Sequence, residues 1–263
     1  MPTILDTIAA HNQDLVEEKK RIKPLETLKA EALAMNPDTG YPFRAALAAE
    51  GVSYICEVKK ASPSKGLIAP VFPYLDIAKE YEAAGASAIS CLTEPKWFLG
   101  RDEYVREIAA AVSIPVLRKD FTIDEYMVYE AKTLGASAIL LICALLDEET
   151  LRSWRELAEA LGMDALVEAH DEAEVQMALR SGARIIGVNN RNLKDFTVDV
   201  NNSTRYRQMV QPPVLFVSES GIQTRSDIEV LENNGTDAVL IGETFMRSPD
   251  KKSMLNSLKG ISK

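Results

Sequence analysis

The chain has 263 residues, 46% of them hydrophobic, and a formal net charge of −9 at pH 7. The acidic balance argues against nucleic acid as a partner, because phosphate backbones are bound by basic surfaces, and no apolar run nears the roughly 20 residues that cross a bilayer. Three widely spaced cysteines and only two histidines exclude a disulfide framework and a multi-histidine metal site.

In chain order, the segment Met1 to Lys20 is charged and lacks the apolar centre of a secretory signal. A cytoplasmic protein with buried, reduced thiols at Cys56, Cys91 and Cys143 is expected. Ile4 to Lys20 has helical periodicity, Ile22-Lys23-Pro24 interrupts it, and Leu25 to Met35 resumes it. Residues 1–50 are therefore read as an extension of two or three helices that caps one end of the fold.

Eight strand signals follow: Tyr54–Lys59, Ser87–Leu92, Ile114–Lys119, Ser137–Cys143, Ala165–Glu168, Arg184–Asn189, Val214–Ser218 and Ala238–Ile241. Helical spacing fills intervals such as Asp76–Ala84, Asp124–Leu134, Asp147–Leu161 and Glu172–Arg180, several opened by an acidic or hydroxyl residue. A helix, a glycine and an apolar run recur at Gly85, Gly135, Gly182 and Gly235, spaced by 50, 47 and 53 residues. Each interval holds two βα units of about 25 residues. The pattern predicts an α/β fold, a (β/α)₈ TIM barrel over residues 1–263 with the N-terminal helical extension attached. An open doubly wound sheet is the alternative, but the glycine-rich G-x-G-x-x-G turn that such sheets usually carry is missing.

A (β/α)₈ barrel keeps its chemistry at the C-terminal ends of its strands. Here those ends are polar. Strand one closes on Glu57 and Lys59, two apart and so on one face. Strand three closes on Arg118-Lys119-Asp120, strand five on Glu168-Ala169-His170, and strand six on Asn189-Asn190-Arg191. Strands seven and eight close on Ser218-Glu219-Ser220-Gly221 and Ile241-Gly242-Glu243. Lysines and glutamates crowded into one mouth satisfy one another and perturb one another's pKa values, which suits proton transfer. The loops at Ser220-Gly221 and Gly242-Glu243 have the place and the glycines of a phosphate seat. There the Glu243 N–H is expected to face the anion and its carboxylate to point away. The loop Ala61-Ser62-Pro63-Ser64-Lys65-Gly66 suits a mobile lid over an anion.

The chain resembles the indole-3-glycerol phosphate synthase family over nearly its whole length. The resemblance rests on Glu57-Val58-Lys59-Lys60-Ala61-Ser62-Pro63-Ser64-Lys65-Gly66, on Leu117-Arg118-Lys119-Asp120-Phe121, and on Leu166-Val167-Glu168 followed by His170-Asp171. It rests equally on Gly187-Val188-Asn189-Asn190-Arg191-Asn192-Leu193 and Val217-Ser218-Glu219-Ser220-Gly221-Ile222, in that order and spacing. The chain departs from the family at Leu99-Gly100-Arg101, where Gly-Ser or Gly-Gly-Ser is usual, and at Ala169, where valine is usual.

The resemblance implies closure, decarboxylation and dehydration of 1-(2-carboxyphenylamino)-1-deoxyribulose 5-phosphate, without metal or organic cofactor. It implies that Lys119 is the general acid of ring closure and Glu168 its partner in later proton transfer. Glu57 positions groups and relays protons, and Lys59 binds the anionic substrate and serves as an acid in dehydration. Ser62, Asn189, Arg191 and Glu219 hold the substrate, and Phe98 and Phe121 form an apolar wall for its aromatic ring. Lys59, Ser220, Gly221, Ile241, Gly242 and Glu243 match phosphate-binding positions. Lys119 is expected to have a lowered pKa from neighbouring cations in a partly dry cleft. The only expected partner is the phosphorylated small molecule, with no nucleic acid or membrane; a monomer is expected, although the sequence itself fixes no oligomeric state. Two rivals remain open at this point: a sugar-phosphate isomerase or aldolase with a Schiff base at Lys119, and a binding protein that has kept the phosphate cup.

Overall fold

The computed structural model describes residues 3–192 and 196–261; Leu193 of the asparagine-rich motif lies outside them. Eight parallel strands close into a barrel. They are β1 (Ser53–Val58), β2 (Ala88–Leu92), β3 (Val116–Lys119), β4 (Ala138–Ile142), β5 (Asp164–Ala169), β6 (Ile185–Asn189), β7 (Leu215–Glu219) and β8 (Ala238–Ile241). Each strand pairs with the next in sequence, and β1 closes the ring by pairing with both β2 and β8. The predicted closed barrel is the observed one.

Strand limits differ from expectation where a residue cannot serve the ladder. β3 begins at Val116, because Pro115 has no N–H to donate, although its carbonyl still accepts from Ile89. β4 stops at Ile142, where Cys143–Leu145 tightens into a 3₁₀ turn. The three cysteines are free and buried.

Alternation along the strands separates two apolar layers. Cys56, Val58, Ile89, Cys91, Val116, Ile139 and Val167 pack against the surrounding helices. Ile55, Ala88, Leu117, Ala138, Leu140, Leu166, Ile185, Val217 and Leu240 fill the barrel interior. The register therefore puts Glu57, Lys119, Glu168, Asn189 and Glu219 on the inner face, one step above that apolar fill.

Three helices precede β1: α1 (Ile4–Ile22), α2 (Leu25–Leu33) and α3 (Pro42–Leu47). They do not stay at one end. Ile4, Leu5 and Ile8 of α1 line the cavity at the mouth. Asn12 donates to Asp120 Oδ1 and to the Phe121 carbonyl, just past β3. Farther along, Thr39 and Tyr41 bond the carbonyls of Gly162 and Glu159. Phe43 and Leu47 of α3, fully buried, join the inner cluster from below. The extension runs from the rim to the floor, because its apolar positions match both.

Candidate active site

The mouth opens into a cavity of about 1060 Å³. Glu57, Lys59, Ser62, Phe98, Lys119, Phe121, Glu168, Asn189, Arg191, Glu219, Ser220, Gly221, Ile241, Gly242 and Glu243 all line it. The sequence motifs thus converge on one space.

Its floor carries two groups of charges. Lys119 Nζ donates to Glu168 Oε2 at 2.9 Å and to Glu219 Oε2 at 2.7 Å. Lys59 Nζ pairs with Glu57 Oε1 at 2.5 Å, and Ser90 Oγ donates to Glu57 Oε2 at 3.4 Å. Ser90 belongs to none of the motifs that mark the strand ends. A serine inside the run Ala88-Ile89-Ser90-Cys91-Leu92, at the inward position paired with Glu57, was the signal.

Two glycines make room for these carboxylates. A Cβ on Gly187 would overlap Glu219 Oε1, and one on Gly242 would overlap Glu57 Oε1 and crowd Lys59 Nζ. Gly187 is paired with Glu168 across β5 and β6, so the carboxylates cluster where the neighbouring strand has no side chain.

The electrostatics correct one expectation. Burial alone would lower the Lys119 pKa, but the charges of Glu168, Glu219 and Glu57 outweigh it and hold the group above the ordinary lysine value. The nearest charges are carboxylates rather than cations, since Lys59 is paired with Glu57. Burial would raise Glu168, yet Lys119 and His170 bring it well below the usual carboxylate range. Burial pushes Glu219 up to about 7, against the pull of Lys119 and with help from the charges of Glu168 and Glu57. Glu219 Oε1 is buried without a hydrogen-bond partner among the described residues. At neutral pH the cluster therefore holds one ammonium, one firmly ionised carboxylate and one carboxyl poised between its two forms.

The walls are of a different kind. The rings of Phe98 and Phe121 lie 5.8 Å apart at 45°, an apolar surface on one side. Phe98 is held by Glu94, a fully buried carboxylate that accepts the N–H groups of Lys96, Trp97 and Phe98 at 2.7–2.9 Å. The next residue, Leu99, has φ 53°, a left-handed conformation that glycine adopts more readily.

On the opposite side, Ser220 (φ 69°) and Gly221 (φ 82°) turn the chain sharply after β7. Asn190 fastens that turn, donating to Ser218 Oγ at 3.2 Å and to the Ser220 carbonyl at 3.0 Å. Gly242 precedes the short helix Glu243–Arg247. The Glu243 carboxylate pairs with Arg247 Nε at 3.0 Å and with Lys65 Nζ at 3.5 Å. Arg191 donates its N–H to Asn189 Oδ1 and its guanidinium to the Phe196 carbonyl. Ser62 and Gly66 belong to a two-stranded ribbon beside the mouth.

Comparison with known proteins agrees with this geometry. The family model for indole-3-glycerol phosphate synthase matches residues 5–258. An indole-3-glycerol phosphate synthase of Ruminiclostridium cellulolyticum is 54% identical over 257 residues, covering 98% of this chain and 99% of the relative. One from Endomicrobium trichonymphae is 52% identical over 256 residues, covering 97% and 99%. The solved structures of KGPDC from Streptococcus mutans and of 3-hexulose-6-phosphate synthase are similar at TM-scores of 0.63 and 0.64. They are 10% and 13% identical, cover 80% and 81% of this chain and 97% and 100% of theirs, and so speak for the barrel alone.

Proposed function

The chain belongs to the indole-3-glycerol phosphate synthase family, and from that premise we propose how its barrel mouth carries out the reaction. The enzyme is a carboxy-lyase of tryptophan biosynthesis, closing 1-(2-carboxyphenylamino)-1-deoxyribulose 5-phosphate to indole-3-glycerol phosphate. The observation that carries the reading is the bridging ammonium of Lys119 between Glu168 and Glu219, above an apolar floor and beside an aromatic wall.

The ring carbon that bears the carboxylate attacks the ketone carbon, and the ketone oxygen takes a proton from Lys119. An ammonium flanked by carboxylates holds its proton tightly. A developing alkoxide is a far stronger base than either carboxylate, so the transfer still runs toward it. Carbon dioxide then leaves, and its bonding electrons restore the aromatic ring. In the dehydration, Lys59 protonates the departing hydroxyl and Glu168 takes the proton from the adjacent methylene carbon. Glu57 fixes Lys59 and relays protons. Ser62, Asn189, Arg191 and Glu219 orient the chain of the sugar, and Phe98 and Phe121 hold the aromatic ring. The phosphate sits between Ser220-Gly221 and Ile241-Gly242-Glu243, with Lys59 as its cation. Pairing of the Glu243 carboxylate with Arg247 and Lys65 supports a seat in which that carboxylate is turned from the anion.

No helix of the described residues is long and apolar enough to cross a membrane. Three reduced thiols suit a reducing compartment, and the enzyme is read as cytoplasmic, monomeric and free of cofactors. The test is incubation of the purified chain with the anilino-deoxyribulose phosphate. Indole fluorescence growing with release of one carbon dioxide per turnover is the expected result. Borohydride trapping that labels Lys119 would instead favour a Schiff-base enzyme.

A further inference from the structure

His170 stands directly behind Glu168 on the side away from Lys119. Its ring Nε2 is 3.3 Å from Glu168 Oε1, an ion-pair contact rather than an aligned hydrogen bond. Its Nδ1 lies 3.0 Å from Glu174 Oε2, and the same oxygen accepts the His170 backbone N–H at 2.8 Å. Glu174 is itself fixed in the first turn of the helix Glu172–Arg180, where Asp171 Oδ1 accepts its N–H at 2.9 Å. The ring orientation is thus set from the helix, and each nitrogen faces a carboxylate. A ring with a carboxylate facing each nitrogen is favoured in its charged form, Nδ1 at hydrogen-bond distance from Glu174 and Nε2 in ion-pair contact with Glu168. Glu168 then has one oxygen on Lys119 and the other on His170.

We propose that His170 is a positioning residue for Glu168, holding that carboxylate ionised and turned so that Oε2 faces Lys119 and the cavity. The inference rests on the reading of Glu168 as the base of the dehydration. Burial would deprotonate the imidazolium, but Glu168 and Glu174 outweigh it and push its pKa up to about 10, so the charge persists across the working range. Other titratable groups around the cluster are Lys119 from β3, Glu219 from β7, Asp171 at the helix start, and Cys143. Cys143 lies on the turn after β4, and burial keeps its thiol neutral.

The experiment follows the disappearance of the ring-closed intermediate in single turnovers between pH 4 and 8, for the wild-type enzyme and for His170→Gln, His170→Ala and Glu168→Gln. His170→Gln keeps a hydrogen-bonding group and removes the charge. It is expected to slow dehydration about tenfold, to leave KM within about twofold, and to move up into this pH window an acidic limb that the wild-type enzyme, with Glu168 held well below the usual carboxylate range, keeps below it. Added imidazole should restore part of the His170→Ala rate, because the side chain is partly open to solvent. A purely structural role would lower the melting temperature without moving the limb. Glu168→Gln that dehydrates at the wild-type rate removes the base itself, and the proposal with it. A slow Glu168→Gln beside an unmoved limb in His170→Gln, with no imidazole rescue of His170→Ala, overturns the role of His170 alone.

Discussion

Arg118 and Lys119 are neighbours in sequence, a buried and a partly buried cation among carboxylates, and they point to opposite faces of β3. Arg118 faces the helices. Its Nε donates to Thr93 Oγ1, its Nη1 to the Met127 carbonyl, and its Nη2 to Asp102 and Glu130 at 2.8 and 2.7 Å. Lys119 faces the cavity and donates to two carboxylates, which leaves one of its three N–H groups for a ligand. One of those carboxylates, Glu219, keeps an oxygen without a partner among the described residues. The difference is one of surroundings. Arg118 spends four of its five N–H groups on fixed protein groups between strand and helices and holds structure together; Lys119 lines the cavity beside an unsatisfied carboxyl, where its remaining donor can do chemistry.

The sharpest way to break this comparison is to remove each cation in turn. Lys119→Met should lower kcat by about 10²–10⁴, or roughly 3–5 kcal/mol of barrel-mouth catalysis, with KM much less affected. Lys119→Arg should not restore the rate, since a guanidinium does not release its proton near neutrality. The melting temperature should change little, because Glu219 with a pKa near 7 takes up a proton in compensation. Single-turnover rates and calorimetry check both halves. Arg118→Met should do the reverse. Asp102 and Glu130 keep Lys19 but lose their buried partner, which should destabilise the fold by about 1–3 kcal/mol, while the folded fraction keeps most of its kcat. If Arg118→Met proved as stable as wild type, a structural role would not be what distinguishes Arg118 from Lys119.

A smaller effect is expected at Gly242. Valine there would collide with Glu57 and Lys59, and KM should rise about tenfold with a lesser change in kcat. An unchanged KM would count against the proposed phosphate seat.

The smallest effect concerns Asp164 on the floor, a third buried charge with an incomplete shell. Its Oδ2 accepts the Arg44 N–H at 2.9 Å, but the Arg44 guanidinium stands 3.6 Å from Oδ1, which has no hydrogen-bond partner among the described residues. Burial pushes its pKa up to about 6. The folded state thus favours the protonated acid. That contribution is complete below the unfolded value of about 4 and is lost as pH rises through about 6. Asp164→Asn should accordingly be more stable than wild type at pH 8 by about 1–2 kcal/mol, and the gap should close toward pH 4. Denaturant titrations at the two pH values measure it.

The barrel was readable because its strands alternate with helices at a regular interval and end on charged residues. Glu57, Lys119, Glu168 and Glu219 were readable for the same reason, each being an ionisable group set against an apolar run. What escaped was whatever depends on a neighbouring strand. Gly187 has meaning only because Glu219 occupies the space its side chain would fill, and no sequence pattern pairs those two positions. Glu94 looks like a loop acid until its carboxylate is seen to gather three backbone N–H groups. The direction of the Lys119 pKa was misjudged because a sequence shows which charges enter a mouth but not which ones touch. The same limit made the extension look like a cap on one end.

The course of that extension from rim to floor sets an order on synthesis. Its contacts reach far ahead in the chain: Lys20 pairs with Asp124, Asn12 with Asp120, Thr39 with Gly162, and the Arg44 N–H with Asp164. When α1 to α3 leave the ribosome, the surfaces that bury Leu5, Ile8, Val16 and Leu28 have not yet been made. These helices wait, apolar side outward, for more than a hundred residues of later chain. The segment made first thus docks only once residues 120–164 have been made, though ahead of the β1–β8 pairing that closes the barrel.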